Sequence, residues 1–333
     1  METEFLLGCD WGTTSFRLTL CDVETLAVRA EVRSDEGVAS TFRDWKTTAA
    51  GNAVPRERFF RRRLGLQLAR LSKAAGMALD DLPVVISGMA SSSLGMQELP
   101  YAKLPFALDG ADAVSRYVVG DEDFSNDILL LSGVRGPADV MRGEETQVLG
   151  LMQLLEAQGL RPDRAKVLLP GTHSKHIHIE GDAIASFQTF MTGEVFGILR
   201  QHSILSESVD AESLTGHSAE AADAFREGVR TSIDSPFLQA LFSVRIHHLL
   251  DRFDRRHNTY YLSGLLIGSE LQSLSKGDDA PIILCSSSHL HDFYRYGLEV
   301  LGLLSRTSML SSGMTERATL AGHAFLLSKT KEV

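Results

Sequence analysis

The residues Asp10-Trp11-Gly12-Thr13-Thr14-Ser15, set between the apolar run Phe5 to Cys9 and the alternating segment Phe16-Arg17-Leu18-Thr19-Leu20, have a counterpart in the middle of the chain. There, Pro170-Gly171-Thr172-His173-Ser174 lies between Val167 to Leu169 and His176 to Ile179. Aligned, Gly12 meets Gly171, Thr13 meets Thr172 and Ser15 meets Ser174. Each copy reads as strand, tight Gly-Thr turn, strand, because a buried aliphatic run gives way to small residues and then to a period-two segment. Such a turn presents backbone N–H groups and hydroxyls with little bulk, which suits a polyphosphate. Gly and Thr also mark ordinary hairpins. The recurrence, with an Asp leading one copy, is what points to phosphate. The copies stand ~160 residues apart, about the size of one domain, so two related halves facing each other across a cleft are expected, divided as 1–162 and 163–333.

The composition narrows the class. A chain of 333 residues with 44% hydrophobic content can bury a large core. Cys9, Cys21 and Cys285 show no C-x-x-C spacing, and their odd number argues against a disulfide framework and for a reducing cytoplasm. Lys and Arg total 33 against 43 Asp and Glu, and the net charge of −10 opposes attraction to nucleic acid or anionic membrane. The one basic cluster, Arg56 to Arg63, is interleaved with Phe59 and Phe60 and leads into Leu64, Leu66, Leu68 and Leu71, so it reads as the solvated start of an amphipathic helix rather than an anion site. No stretch approaches the ~20 apolar residues that span a bilayer, and acidic Met1 to Glu4 run straight into a strand. A soluble, untargeted protein is expected, with a small-molecule partner; a homo-oligomer stays open.

Strands and helices alternate in both halves, which predicts an α/β fold. In the first, a third strand over Leu26 to Arg33, a turn at Asp35-Glu36-Gly37, a helix from Pro55 to Ala75, strands at Val84 to Ile86 and Ile128 to Leu131, and a helix from Gly143 to Gln158 follow the opening hairpin. In the second, a strand over Ala183 to Phe187 precedes helices over Gly193 to Arg200 and from Ala219. Tyr260-Tyr261-Leu262 reads as a strand, Ser263-Gly264 as a turn and Leu265 to Leu274 as a helix. Ile282 to Cys285 reads as a last strand, with closing helices at Tyr294 to Leu304 and Glu316 to Leu327.

Several segments carry candidate chemistry. Asp10 ends a buried strand beside the first turn, where a carboxylate can hold hydrated Mg²⁺ against nucleotide phosphates; capping the turn is its plainer role. The second copy has Leu169 in that place, so only one half supplies a metal contact. Asp139, Glu144 and Glu145 gather carboxylates at the opening of a helix, where a general base for a hydroxyl nucleophile would be useful and where compensation of the helix dipole also accounts for them. Arg142 would offset anionic substrate charge there. Small residues in Ser263-Gly264-Leu265-Leu266-Ile267-Gly268 permit close approach by a planar ring or close packing of elements. His173, His176 and His178 form the densest histidine group, without an evident tetrahedral arrangement. Neither a P-loop nor a Rossmann fingerprint occurs.

Together with Phe187-Gln188-Thr189-Phe190-Met191-Thr192-Gly193-Glu194 and Met141-Arg142-Gly143-Glu144-Glu145-Thr146-Gln147, these motifs resemble those of the 2-dehydro-3-deoxygalactonokinase family, in order and over nearly the whole chain. The resemblance implies the two-domain actin-like ATPase (ribonuclease H-like) fold of many sugar kinases, with ATP and Mg²⁺ between the domains and the sugar deep in the cleft. It makes Asp10, Gly12, Thr13 and Thr14 the first phosphate segment, Gly171, Thr172 and Ser174 the second, and Ser263, Gly264 and Gly268 the adenosine segment. It implies Glu144 as base, with Asp139 second, and a substrate pocket near Ser87, Gly88, Met89, Ser93, Tyr101, Lys103 and Arg142. One region departs: the family carries an Arg-Gln-Gly-Trp run where this chain has Ser93-Leu94-Gly95-Met96. An Arg there would bind a 2-keto acid bidentately and Ser93 cannot, so Lys103 or Arg142 takes over that charge, or the acceptor is another sugar or sugar acid. The expected reaction is ATP-dependent phosphorylation of 2-dehydro-3-deoxy-D-galactonate at its 6-hydroxyl. The rivals are a sugar-sensing regulatory ATPase, which commonly carries an added DNA-binding domain that has no room before Phe5, and a hydrolase using the same cleft.

Overall fold

The computed structural model describes residues 4–49, 54–210, 218–275 and 279–330. Three antiparallel strands open it: β1 (Phe5–Trp11), β2 (Phe16–Asp22) and β3 (Val28–Ser34). Their register pairs Leu7 with Leu20, Cys9 with Leu18 and Trp11 with Phe16 on one face, and these six side chains lie in the buried core. The other face alternates to Gly8 opposite Thr19 and Asp10 opposite Arg17, so the period of two alone puts the candidate carboxylate away from the main core. After α1 (Val38–Ala49) and α2 (Arg56–Ala75), the strand β4 (Val84–Gly88) runs parallel to β1, with Asp10 beside Ser87 and Trp11 beside Gly88.

The short strands β5 (Ala102–Lys103), β6 (Phe106–Ala107) and β7 (Ser115–Val118) precede β8 (Ile128–Leu131). The hairpin of β9 (Val134–Arg135) and β10 (Val140–Met141) then leads into α3 (Glu144–Glu156). The first sheet has the order β3-β2-β1-β4-β8-β7.

The second copy of the motif starts the same construction again. Strands β11 (Arg164–Leu169), β12 (Ser174–Glu180) and β13 (Ala183–Phe190) are followed by helices α4 (Thr192–His202), α5 (Ala219–Asp234), α6 (Phe237–Leu249) and α7 (Arg255–Ser275). Then come β14 (Ile282–Leu284), α8 (Ser288–Val300), β15 (Thr307–Met309) and α9 (Ser312–Thr330). The second sheet runs β15-β14-β11-β12-β13-β6. Its stretch β13-β12-β11-β14-β15 thus repeats the order β3-β2-β1-β4-β8, and the duplication seen in two turns extends to both sheets.

Two expectations are corrected. Residues 260–264 form no strand and turn but the middle of α7, where a buried helix accommodates β-formers because its neighbours enclose it on every side. The closing helix expected from Tyr294 starts at Ser288, and α1 forms over residues for which no element was expected. The division expected from the sequence is 1–162 and 163–333. The described residues cluster into two compact units, one of 4–163 with 179–187 and 313–330, the other of 164–178 with 188–312. The C-terminal helix α9 therefore belongs with the first unit. No helix among the described residues is long and apolar enough to cross a membrane.

Candidate active site

In the first turn the Gly12 N–H donates to the Ser15 carbonyl at 2.9 Å, and Thr13 and Thr14 are exposed. The turn is held from behind by the start of α1: Val38 N–H donates to Gly12 O at 2.9 Å and Ala39 N–H to Thr13 O at 3.0 Å. Gly37 makes this possible, since a Cβ there would lie 2.4 Å from Thr13 O. The second turn is backed in the same manner by α4. Glu194 N–H donates to Thr172 O at 3.1 Å, and a Cβ on Gly193 would lie 2.6 Å from Gly171 O. Helix N–H groups thus hold the carbonyls of Gly12, Thr13 and Thr172. The sequence reading found the turns and missed these two supports, although Gly37 and Gly193 each stand at the head of the helix that follows the third strand of their repeat.

At the end of β1, three segments meet where only glycine fits. Gly88 has φ +86°, and a Cβ on it would sit 2.8 Å from Trp11 O and 3.4 Å from Asp10 Oδ1. Gly143 has φ +109°, and its Cβ would meet Gly88 Cα at 3.2 Å. Such backbone angles favour glycine, and the close approach demands it. This stack delivers the first turn of α3 to Asp10. Glu144 is half-buried, its Oε2 accepts the Arg142 N–H at 2.9 Å, and its charge acts on Asp10. Burial raises the Asp10 pKa, Arg17 opposes that rise and Glu144 adds to it. Asp10 is walled by protein yet reaches solvent along a cavity of about 410 Å³ that it shares with Arg17, Glu31 and His323.

The neighbouring Glu145 is buried and turns back onto the helix start, accepting Gly143 N–H at 2.8 Å and Thr146 Oγ1–H at 3.0 Å. Burial, and then the charge of Glu144, push its pKa up to about 7. Asp139 lies in the β9–β10 turn, where its Oδ1 accepts the Val140 N–H at 2.7 Å. Of the three carboxylates the sequence gathered, Glu144 is the one whose charge is felt at Asp10.

Ser87, below Gly88, is buried, and its hydroxyl lies 2.9 Å from His323 Nε2 of α9. Burial lowers the His323 pKa to about 3, so the ring is neutral. Met89 opens a 3-10 turn ending at Ser91. Arg142 Nη1 donates to Ser91 O at 2.7 Å and to its hydroxyl at 2.6 Å, and the guanidinium stands 4.1 Å over the Tyr101 ring. Ser93 is exposed, and its carbonyl accepts Arg56 Nη1 at 2.7 Å. Arg56, read as part of a solvated helix start, is thus a cation of this loop that the sequence reading passed over. Lys103 is exposed on β5 opposite Arg135.

The adenosine segment departs furthest from its reading. Ser263, Gly264 and Gly268 are buried in α7, and the two glycines face α5: added Cβ atoms would lie 2.1 Å from Phe225 O and 2.4 Å from Ser232 Oγ. Helix-to-helix packing accounts for both. The histidines are dispersed too, with His173 paired to Glu194 and His176 to Glu270.

The 2-keto-3-deoxy-galactonokinase family model matches residues 10–325. A Rhizobium meliloti (strain 1021) protein named a probable 2-dehydro-3-deoxygalactonokinase is 36% identical over 327 residues, covering 96% of this chain and 94% of its own. The Escherichia coli (strain K12) 2-dehydro-3-deoxygalactonokinase is 33% identical over 229 residues, 66% of this chain and 71% of its own. A crystal structure of a candidate 2-dehydro-3-deoxygalactonokinase from Sinorhizobium meliloti superposes with a TM-score of 0.75 at 34% identity, covering 97% of this chain and 96% of that one.

Proposed function

This chain belongs to the 2-keto-3-deoxy-galactonokinase family, and we infer from it that Glu144 is the base that readies the acceptor hydroxyl. The protein is an ATP-dependent kinase of 2-dehydro-3-deoxygalactonate, serving galactonate catabolism, on the α/β fold of the actin-like sugar kinases. The observation that carries the assignment of the base is the meeting of Glu144 with Asp10 across Gly88 and Gly143. As the 6-hydroxyl oxygen forms its bond to the γ-phosphorus, Glu144 takes the hydroxyl proton and ADP departs with the electrons of the broken P–O bond. The Arg142 guanidinium, like that of Arg56, is anchored on the Ser91 to Ser93 loop and supports an anionic acceptor, with Arg142 as the carboxylate partner.

The two Gly-Thr turns bind phosphate oxygens through backbone N–H groups and the hydroxyls of Thr13, Thr14 and Thr172. Asp10 fits a magnesium ion: it offers a hard oxygen donor, and its crowding by Glu144 is relieved by a cation. Mg²⁺, when bound, neutralises charge on the phosphates. Recognition of adenosine is left out of Gly264 and Gly268, whose faces are taken up by α5, and of the buried Ser263 beside them.

The test is a coupled ADP-release assay on 2-dehydro-3-deoxygalactonate, other 2-keto-3-deoxy-aldonates, aldonates and neutral sugars. Glu144→Gln is expected to lower kcat by about 10²- to 10⁴-fold, while Asp139→Asn keeps most of the activity. The reverse pattern would move the base to Asp139, and no turnover on any acceptor would sink the reading.

A further inference from the structure

A chain of buried hydrogen bonds runs from the second Gly-Thr turn into the interior of its unit. The Gly171 N–H points at Ser174 Oγ, 3.4 Å away, and Ser174 Oγ lies 3.0 Å from the Tyr294 hydroxyl. That hydroxyl is 2.9 and 2.8 Å from the two carboxylate oxygens of Glu270. Burial, reinforced by the charge of Glu270, holds the Tyr294 phenol well above its ordinary pKa, so it keeps its proton. A carboxylate only accepts, so Tyr294 donates to Glu270 and Ser174 must donate to Tyr294. The direction of every bond follows from the carboxylate at the end.

Glu270 also reaches the other side of the same turn. It accepts from Thr192 Oγ1, the first residue of α4, whose next residues, Gly193 and Glu194, back the turn at Gly171 and Thr172. His176 Nε2, on β12, is 3.0 Å from Glu270 Oε1. Ser174, His176, Glu270 and Tyr294 are each at most 3% exposed. A buried carboxylate is costly unless its lone pairs are satisfied, and here three of its partners (Tyr294, Thr192 and His176) come from three different elements. Packing alone would be served as well by apolar side chains in these places. The polar network instead fixes one geometry of the turn.

We propose that Glu270 is a positioning residue for the γ- and β-phosphates of ATP, acting through Tyr294 and Ser174 on one side of the second turn and through Thr192 on the other. The inference rests on the reading of that turn as a phosphate clamp. Glu270 itself touches no reacting atom. Its loss would leave the turn in place but free to reorient its N–H groups, weakening the grip on phosphate and leaving the acceptor site in the other unit as it is.

Three variants separate the possibilities: Glu270→Gln, which keeps the shape but presents an amide N–H to one of the donors; Tyr294→Phe, which cuts the relay at one bond; and Gly171→Ala, which perturbs the clamp directly. For each, KM for ATP and for the sugar acid and the affinities for ATP and AMP are measured. The expected result for Glu270→Gln and Tyr294→Phe is a rise of about tenfold in KM and Kd for ATP, with KM for the sugar acid and affinity for AMP changed less than about twofold. If Gly171→Ala loses ATP affinity while Glu270→Gln and Tyr294→Phe retain it, the positioning role is overturned and the clamp stands. If all three retain it, the clamp reading itself fails. Equal losses for ATP, AMP and sugar acid would mark a merely structural role and also overturn the proposal. Should Glu270→Gln not fold, Tyr294→Phe decides alone.

Discussion

At the second turn, Gly171 is the residue with nothing to fear from a methyl group: a Cβ there meets no atom within 4 Å. The protein's own packing therefore does not require glycine at this position. Gly171→Ala should leave the thermal midpoint within about 1 °C of the parent, since surface changes away from contacts are nearly neutral. ATP affinity should fall, read by calorimetric titration; unchanged affinity would remove the turn from the nucleotide site. Glu145 makes a different prediction. Its carboxyl titrates near 4.5 when unperturbed and at about 7 in the fold. Between those values the native chain holds a proton that the unfolded chain has released. Its stabilising contribution is thus complete below about pH 4.5 and is lost as pH rises through 7, by about 3 kcal/mol. Urea denaturation from pH 5 to 8 should show this decline, and Glu145→Gln should flatten it. The sequence showed that carboxylates cluster here. It did not show which of them meets Asp10, because that depends on the positive φ of Gly88 and Gly143, and φ has no period to read.

Among the elements, α7 teaches where periodicity fails. Tyr260-Tyr261-Leu262 followed by Ser-Gly has every local mark of a strand and turn, yet fourteen of the helix's residues are buried, leaving no polar face to betray a period of 3.6. The glycines that looked like a ring-binding turn are contact points with α5. Gly264→Ala would press a methyl against Phe225 O at 2.1 Å, and overpacking of this kind costs about 1–3 kcal/mol. Denaturant melts should show that loss with ATP affinity per folded molecule unchanged. A selective loss of ATP binding at full stability would restore the adenosine role. By contrast, the strands β1, β4, β8, β11 and β14 were all legible, since each is a short aliphatic run bounded by turn residues. What remained hidden at this scale was α1, although Val38, Thr41, Phe42 and Trp45 recur at helical spacing along its less exposed side.

For the molecule as a whole, two Gly-Thr turns in one sequence foretold two sheets of one strand order. If both turns hold phosphate, ATP stabilises both units. At about a hundredfold excess over its dissociation constant the stabilisation is about 2.7 kcal/mol. Differential scanning calorimetry should then show every unfolding transition moving upward with ATP and moving less with AMP, which lacks the outer phosphates. A transition indifferent to ATP would mean that its unit holds no part of the nucleotide. The sequence did not reveal that the second half's last helix joins the first unit, because such a return is a matter of long-range packing and leaves no local mark.

That return has a consequence for the order in which the chain is made. Helix α9 lies against β1 through Leu320 and His323 at Gly8, and against α3 through Ala318 at Gly150 and Gly322 at Thr146. The His323 to Ser87 bond joins residues 236 apart in sequence. During vectorial synthesis the first unit therefore emerges with one face of its founding strand uncovered, and the second unit's residues must all be translated before the covering helix arrives. Until the ribosome has delivered α9, Gly8 of β1 and the Ser87 hydroxyl lack the partners that cover them in the finished chain.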